Sequence, residues 1–233
     1  FLDHEIDLCG LKTGKNGRHP LPEREEFIRL LGNLGIDPQA NIVVYDARDS
    51  MFAAHLWWML RWAGCTKVRV LNGGWSAWGQ ISGDIEREKP APRAPVVWES
   101  GATGMPVVDA NAVLANINQP VFTVIDARAE NRFRGENETI DPVAGHIPGA
   151  INWPFSRNLD SDGFFLPVDE LKSGFAQLLG NNKPEQIVHQ CGSGLSACHN
   201  LLAMEVAGLT GSALYPGSWS EWCSDSSRPV AVG

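Results

Sequence analysis

The chain has 233 residues, 43% of them hydrophobic, which is enough for one large domain or two smaller ones that each bury a core. Its 19 basic and 27 acidic residues leave a formal charge of −8, and nowhere are basic residues interleaved with aromatics as a nucleic-acid groove requires. No apolar run approaches the roughly 20 residues that span a bilayer, and no charged-then-apolar leader opens the chain, so a soluble protein with no membrane or nucleic-acid partner is expected.

In chain order, the opening stretch "FLDHEIDLCGLKTGKNGRHPLP" reads as a loop with no preceding strand, and implies that sequence is missing upstream of Phe1. Residues 41–78, "NIVVYDARDSMFAAHLWWMLRWAGCTKVRVLNGGWSAW", give a strand, a short loop, an apolar helix ending at Ala-Gly, a second strand and a Gly-x-Trp turn. The stretch "GDIEREKPAPRAPVVWESGATG" is rich in proline and charge and suits a linker. From Met105 the chain resumes with Asp109 as a helix N-cap, the buried strand "VFTVIDAR" and the turn "GHIPGAINWPF". Residues 186–222 then repeat the grammar of 41–78: Gly64 answers to Gly208, Trp75 to Trp219 and Trp78 to Trp222 at one constant separation. Before the loop Ile42 answers to Ile187, one residue further, so the first loop carries one extra residue. A repeat of this length predicts a duplicated α/β domain with mainly parallel strands flanked by helices. The expected units are an incomplete N-terminal module (1–83), a linker (84–104) and a C-terminal module (105–233).

Under this repeat Cys191 stands opposite Asp46, so one copy has a thiol and the other does not. Cys9, Cys65, Cys198 and Cys223 complete an odd, scattered set without a CxxC pair; neither a disulfide framework nor a zinc site is indicated, and a reducing, cytoplasmic compartment is expected. An isolated cysteine at a strand end can be no more than a small buried hydrophobe. Here, however, Gly192 and Gly194 permit a tight loop whose N–H groups turn toward the sulfur, and a helix starting near Ser196 adds the positive end of its dipole. Both favour a thiolate.

"CGSGLSA", the Asp-Ala-Arg run with "RF" following, "GHIPGA" and "YPGSWSEW" together resemble the two-domain rhodanese-like sulfurtransferases, most closely the 3-mercaptopyruvate sulfurtransferases. The resemblance covers essentially the whole chain. It implies two tandem rhodanese modules, with the thiol in the second only and roughly the first third of the N-terminal module lying upstream of Phe1. It also implies sulfur relay: Cys191 accepts a sulfur atom as a persulfide and passes it to a thiol acceptor, possibly thioredoxin, or to cyanide, with no metal or organic cofactor. The family pattern makes Cys191 and Ser193 catalytic and places Arg132, Gly192, Gly194, Leu195 and Ser196 at the donor. It further implies an aspartate and a histidine as partners of Ser193, both expected upstream of Phe1.

Rhodaneses that use thiosulfate carry two cationic residues after the cysteine; Gly192 and Ser193 stand there, which favours the single carboxylate of 3-mercaptopyruvate held by Arg132. Arg128 is as readily a salt-bridge residue. Many mercaptopyruvate enzymes carry another arginine in the stretch before "GHIPGA", where only Arg134 is present. His146 reads as a turn histidine, His189 as a strand or core residue, His199 and Cys198 as helix residues, and Trp219 and Trp222 as packing, because Trp75 and Trp78 occupy their places in the thiol-free copy. A cysteine phosphatase would need an arginine where Ala197 stands. A thiosulfate:cyanide sulfurtransferase and a non-catalytic rhodanese-type binding module remain the alternatives.

Overall fold

The computed structural model describes residues 1–81, 83–88, 90–98 and 104–233. The opening stretch holds one short helix, α1 (His4–Asp7), because the Asp3 carboxylate caps it by accepting the N–H groups of Glu5 and Ile6. A second helix, α2 (Arg24–Asn33), buries Phe27, Ile28, Leu31 and Gly32 on one face. Next come β1 (Ile42–Val44), α3 (Met51–Ala63), β2 (Val68–Val70) and α4 (Gly74–Gln80). The C-terminal half contains α5 (Ala110–Asn118), β3 (Thr123–Asp126), α6 (Glu130–Phe133), β4 (Ile151–Asn152), α7 (Val168–Leu179), β5 (Ile187–Gln190), α8 (Leu195–Val206), β6 (Ala213–Leu214) and α9 (Ser218–Trp222). Asp109 caps α5 as expected, its carboxylate accepting the Ala112 N–H.

Among the described residues, β1 pairs in parallel with β2, and β4-β3-β5-β6 form a four-stranded parallel sheet. All four residues of β5 are buried, as a strand covered by helices on both faces must be. The large helices of the two copies, α3 and α8, follow their loops and contribute to one shared core: Trp57, Trp58 and Leu60 lie in the same cluster as Ala197, Cys198 and Leu201. The two modules are therefore welded through the helices that follow Asp46 and Cys191.

The duplication extends to single hydrogen bonds. Trp75 N–H donates to the Asp46 carbonyl at 2.9 Å, and Trp219 N–H donates to the Cys191 carbonyl at 2.9 Å. The Gly-x-Trp turns are the first turns of α4 and α9, entered through positive φ at Gly74 (58°) and Ser218 (54°). A serine holds this left-handed conformation because its hydroxyl is engaged twice, accepting the Cys191 N–H at 3.0 Å and donating to the Tyr215 carbonyl at 3.0 Å.

Part of the linker, residues 89 and 99–103, lies outside the described residues, as does residue 82 just before it. The described part is fastened to α2: Val96 N–H donates to the Gly32 carbonyl at 2.9 Å and the Trp98 indole N–H to the Ile36 carbonyl at 2.6 Å. No helix among the described residues is long and apolar enough to cross a membrane.

Candidate active site

Cys191 stands where β5 ends and α8 begins, buried, with 2% of its surface exposed. The expected glycine loop is present in part: Gly194 adopts φ 90° and donates its N–H to the Cys191 sulfur at 3.2 Å, whereas Gly192 is not in the left-handed region. A Cβ at Gly194 would lie 2.8 Å from the Pro216 carbonyl oxygen, so a side chain is excluded by contact as well as by backbone conformation. Leu195 and Ser196 form the first turn of α8 beneath the sulfur and are themselves buried.

The thiol-free copy shows what the same corner does with a fixed charge. The Asp46 carboxylate accepts four backbone N–H groups: Arg48 at 3.0 Å and Ser50 at 3.1 Å on one oxygen, Phe52 at 3.0 Å and Ala53 at 3.1 Å on the other. A strand end followed by a helix start is thus an anion cradle in this fold. One copy fills it with a carboxylate, the other with sulfur.

Ser193 meets a hydrogen-bonded pair of side chains from the opening stretch. His19 Nδ1 lies 2.7 Å from Ser193 Oγ, and His19 Nε2 lies 2.8 Å from a Glu5 carboxylate oxygen. A histidine and an acidic group, expected before the first residue, thus stand beside Ser193 within the opening stretch, as His19 and Glu5. Burial, the largest influence, and the neighbouring cations lower the His19 pKa from its ordinary 6.5, against the pull of Glu5. At neutral pH the ring is uncharged and can accept the Ser193 proton. The Lys12 ammonium, bonded to Glu5, is the main reason that this carboxyl titrates below its usual range. The ligand atoms of His4, Glu5 and His19 lie within 4.8 Å of one another, the spacing of a metal set. Glu5 and His19 are already spent on each other, on Ser193 and on Lys12, and an ammonium on the same carboxylate opposes a dication.

Arg132 projects from α6 toward the loop. Its Nε and Nη2 are held by Glu138 at 3.0 and 2.9 Å, and Nη2 also reaches Asp141 at 3.1 Å. Burial pushes Glu138 up, but the Arg132 fork and the N–H groups of Asp141 and Ile140 outweigh it and leave the carboxyl below its usual range. Arg18 occupies the facing position, paired with Asp141, and escaped sequence reasoning together with His19 and Glu5. The signal that could have found them is the bracket of Gly17 and Pro20 around Arg18-His19.

The remaining candidates have their side chains engaged in packing or in other pairs. Arg128 is buried and forks onto Asp126, with Nη2 also on the Gly145 carbonyl, so it is a salt-bridge residue. Arg134 is exposed and pairs with Glu130 and Glu136. His146 Nδ1 bonds the Phe133 carbonyl at 2.8 Å in its turn, and its ring stacks on Phe133. His189, His199 and Cys198 are core residues. Trp219 and Trp222 are fully buried and donate their indole N–H groups to the Val143 and Pro229 carbonyls, which makes them packing residues.

The rhodanese-like domain family matches residues 5–81 and 109–225. A protein of Pseudomonas aeruginosa named "Probable 3-mercaptopyruvate sulfurtransferase" is 43% identical over 235 residues, covering 100% of this chain and 82% of that protein. The thiosulfate sulfurtransferase of Rattus norvegicus is 35% identical over 207 residues, covering 87% of this chain and 69% of the rat protein. Among solved structures, the 3-mercaptopyruvate sulfurtransferase from Leishmania major superposes with a TM-score of 0.86 at 28% identity; the match covers 98% of this chain, which spans 64% of the length of the Leishmania chain.

Proposed function

The chain belongs to the rhodanese-like sulfurtransferases, with the domain in two copies, and from that membership we propose that it moves sulfur from 3-mercaptopyruvate through a Cys191 persulfide to a thiol acceptor. The observation that carries the reading is the relay Glu5–His19–Ser193 beside a sulfur that accepts the Gly194 amide. The Cys191 thiolate attacks the donor sulfur and the carbon–sulfur bond breaks. Its electron pair goes to the carbon as the enolate of pyruvate, which takes up the proton given up by the donor thiol. Ser193, with His19 ready to exchange its proton, is placed to stabilise the enolate oxygen. The acceptor thiolate then attacks the outer sulfur and Cys191 leaves as thiolate, unchanged.

Arg132 holds the donor carboxylate, Gly192 leaves room for it, and Gly194, Leu195 and Ser196 form the wall and helix start beneath it. Thioredoxin or a small thiol serves as acceptor, with cyanide as a laboratory substitute, in a reducing cytoplasm. The unit boundaries are 1–83, 84–104 and 105–233, and no metal or organic cofactor takes part. Incubation with 3-mercaptopyruvate followed by peptide mass mapping tests the reading. The Cys191 peptide gains one sulfur atom, and cyanide releases it as thiocyanate; sulfur carried elsewhere, or none, refutes it. Thiosulfate is the second donor to be weighed, because relatives of both kinds resemble this chain.

A further inference from the structure

The stretch between Arg132 and Gly145 offers no second donor-binding arginine, since Arg134 is exposed and paired with Glu130 and Glu136. The structure offers a guanidinium from the other module. The point that a Cβ of Gly192 would occupy lies 2.9 Å from Arg18 Nη2, 3.6 Å from Arg132 Nη1 and 3.7 Å from Arg132 Nη2. Nitrogens from two arginines therefore converge on one spot, immediately beside Cys191.

Both guanidiniums are held from behind. Asp141 gives one carboxylate oxygen to Arg18 Nη1 and the other to Arg132 Nη2. The Arg18 and Arg132 side chains remain 31% and 18% exposed while that of Asp141 is 3% exposed, so an arriving anion meets the guanidiniums first. The backbone of Arg18 is fixed too: its N–H donates to Ser220 Oγ at 3.0 Å, and Gly17 (φ 86°) sits so close that a Cβ there would lie 2.8 Å from the Gly217 carbonyl oxygen.

We propose that Arg18 supplies the second guanidinium of the donor site, closing a clamp with Arg132 over Gly192, and that Asp141 between them restricts the clamp to singly charged anions. The proposal rests on the reading of Cys191 as sulfur acceptor. The charge balance explains the restriction. Arg18, Arg132 and Arg128 are interlaced with Asp141, Glu138 and Asp126, and the two signs are equal in number. A monocarboxylate arrives as one uncompensated charge, whereas a dianion such as thiosulfate arrives as two in a half-buried site of reduced dielectric.

The test compares alkylation of Cys191 by iodoacetate, an anion, and by iodoacetamide, its neutral counterpart, using the full chain without any sulfur donor. In Arg18→Gln the iodoacetate rate falls about tenfold to a hundredfold, as for loss of one charge-assisted contact, while the iodoacetamide rate holds. Arg18→Lys, which keeps the charge but not the fork, gives an intermediate ratio. Asp141→Asn raises the iodoacetate rate and improves use of thiosulfate relative to 3-mercaptopyruvate. An unchanged ratio in Arg18→Gln overturns the proposal. So do two rates that fall together, because Arg18 would then only hold the modules in place. The ratio is read without a sulfur donor, so failure of 3-mercaptopyruvate to load Cys191 refutes the functional reading and leaves this measurement standing.

Discussion

Asp46 and Cys191 occupy one position in two copies of the same unit, each at a strand end and each giving its carbonyl to the tryptophan that opens a short helix, Trp75 or Trp219, at 2.9 Å. The difference between them is what each puts into the cradle of amides. The Asp46 carboxylate is bonded by four backbone N–H groups and ties the loop to the start of α3. Asp46→Ala is expected to lower unfolding free energy by at least about 2 kcal/mol, since hydrogen bonds to a charged group contribute roughly 1.5–3 kcal/mol each before relaxation. Chemical denaturation checks this, and a loss under half that size shows the cradle to be dispensable.

Cys191 is expected to be the thiol that reacts first with iodoacetamide near neutral pH. Burial pushes Cys9 and Cys65 up to about 11 and also raises Cys198 and Cys223. Peptide mapping after a brief exposure reads the outcome; earlier labelling of Cys9 or Cys223 contradicts it. Cys191→Ser abolishes turnover with every donor, because a hydroxyl cannot carry sulfane sulfur.

The relay predicts that His19→Ala and Ser193→Ala each lower kcat by about a hundredfold or more, the usual contribution of a positioned proton carrier. The double variant should lose little beyond either single change, since the two act as one unit. Additive losses would mean that His19 and Ser193 work separately.

Donor choice follows charge. 3-Mercaptopyruvate is expected to exceed thiosulfate in kcat/KM by about tenfold to a hundredfold, the loss of one charge-assisted contact. Arg132→Ala erodes that preference by weakening the mercaptopyruvate reaction. Steady-state kinetics with both donors decide it, and equal use of the two overturns it.

Burial holds His55, His189 and His199 neutral, each lowered to about 3 from the ordinary 6.5. Once unfolded, each takes up a proton below 6.5 that the folded chain refuses. Stability is therefore fully present above 6.5 and is lost as pH falls from there toward 3, at about 1.4 kcal/mol per pH unit for each histidine once well below 6.5. Thermal melts between pH 7 and 4.5 should show Tm falling throughout that window; a flat profile would show that these rings are not buried as neutral bases.

The duplication was legible because a strand, an apolar helix and a Gly-x-Trp corner each leave a local pattern, and two copies at constant spacing confirm one another. The corner at Cys191 was legible because the glycines of its loop leave a local pattern. Arg18, His19 and Glu5 were not. They lie in a stretch without periodicity, and His19 meets Ser193 across 174 residues of chain, a relationship made by docking and not by local propensity. Arg132 could be picked out beside "RF", but its carboxylate partners Glu138 and Asp141 could not, since nothing in an exposed-looking acidic loop announces that it folds back over its own arginine.

The close seating of Gly17 against Gly217 gives the duplicated halves an unequal dependence. The copy without a thiol has a task that the other cannot perform: its opening stretch brings His19 against Ser193 and Arg18 against Gly192. Such a pair is not separable as independent copies are: loosening the thiol-free half also moves the groups that stand against Ser193 and Gly192 in the other.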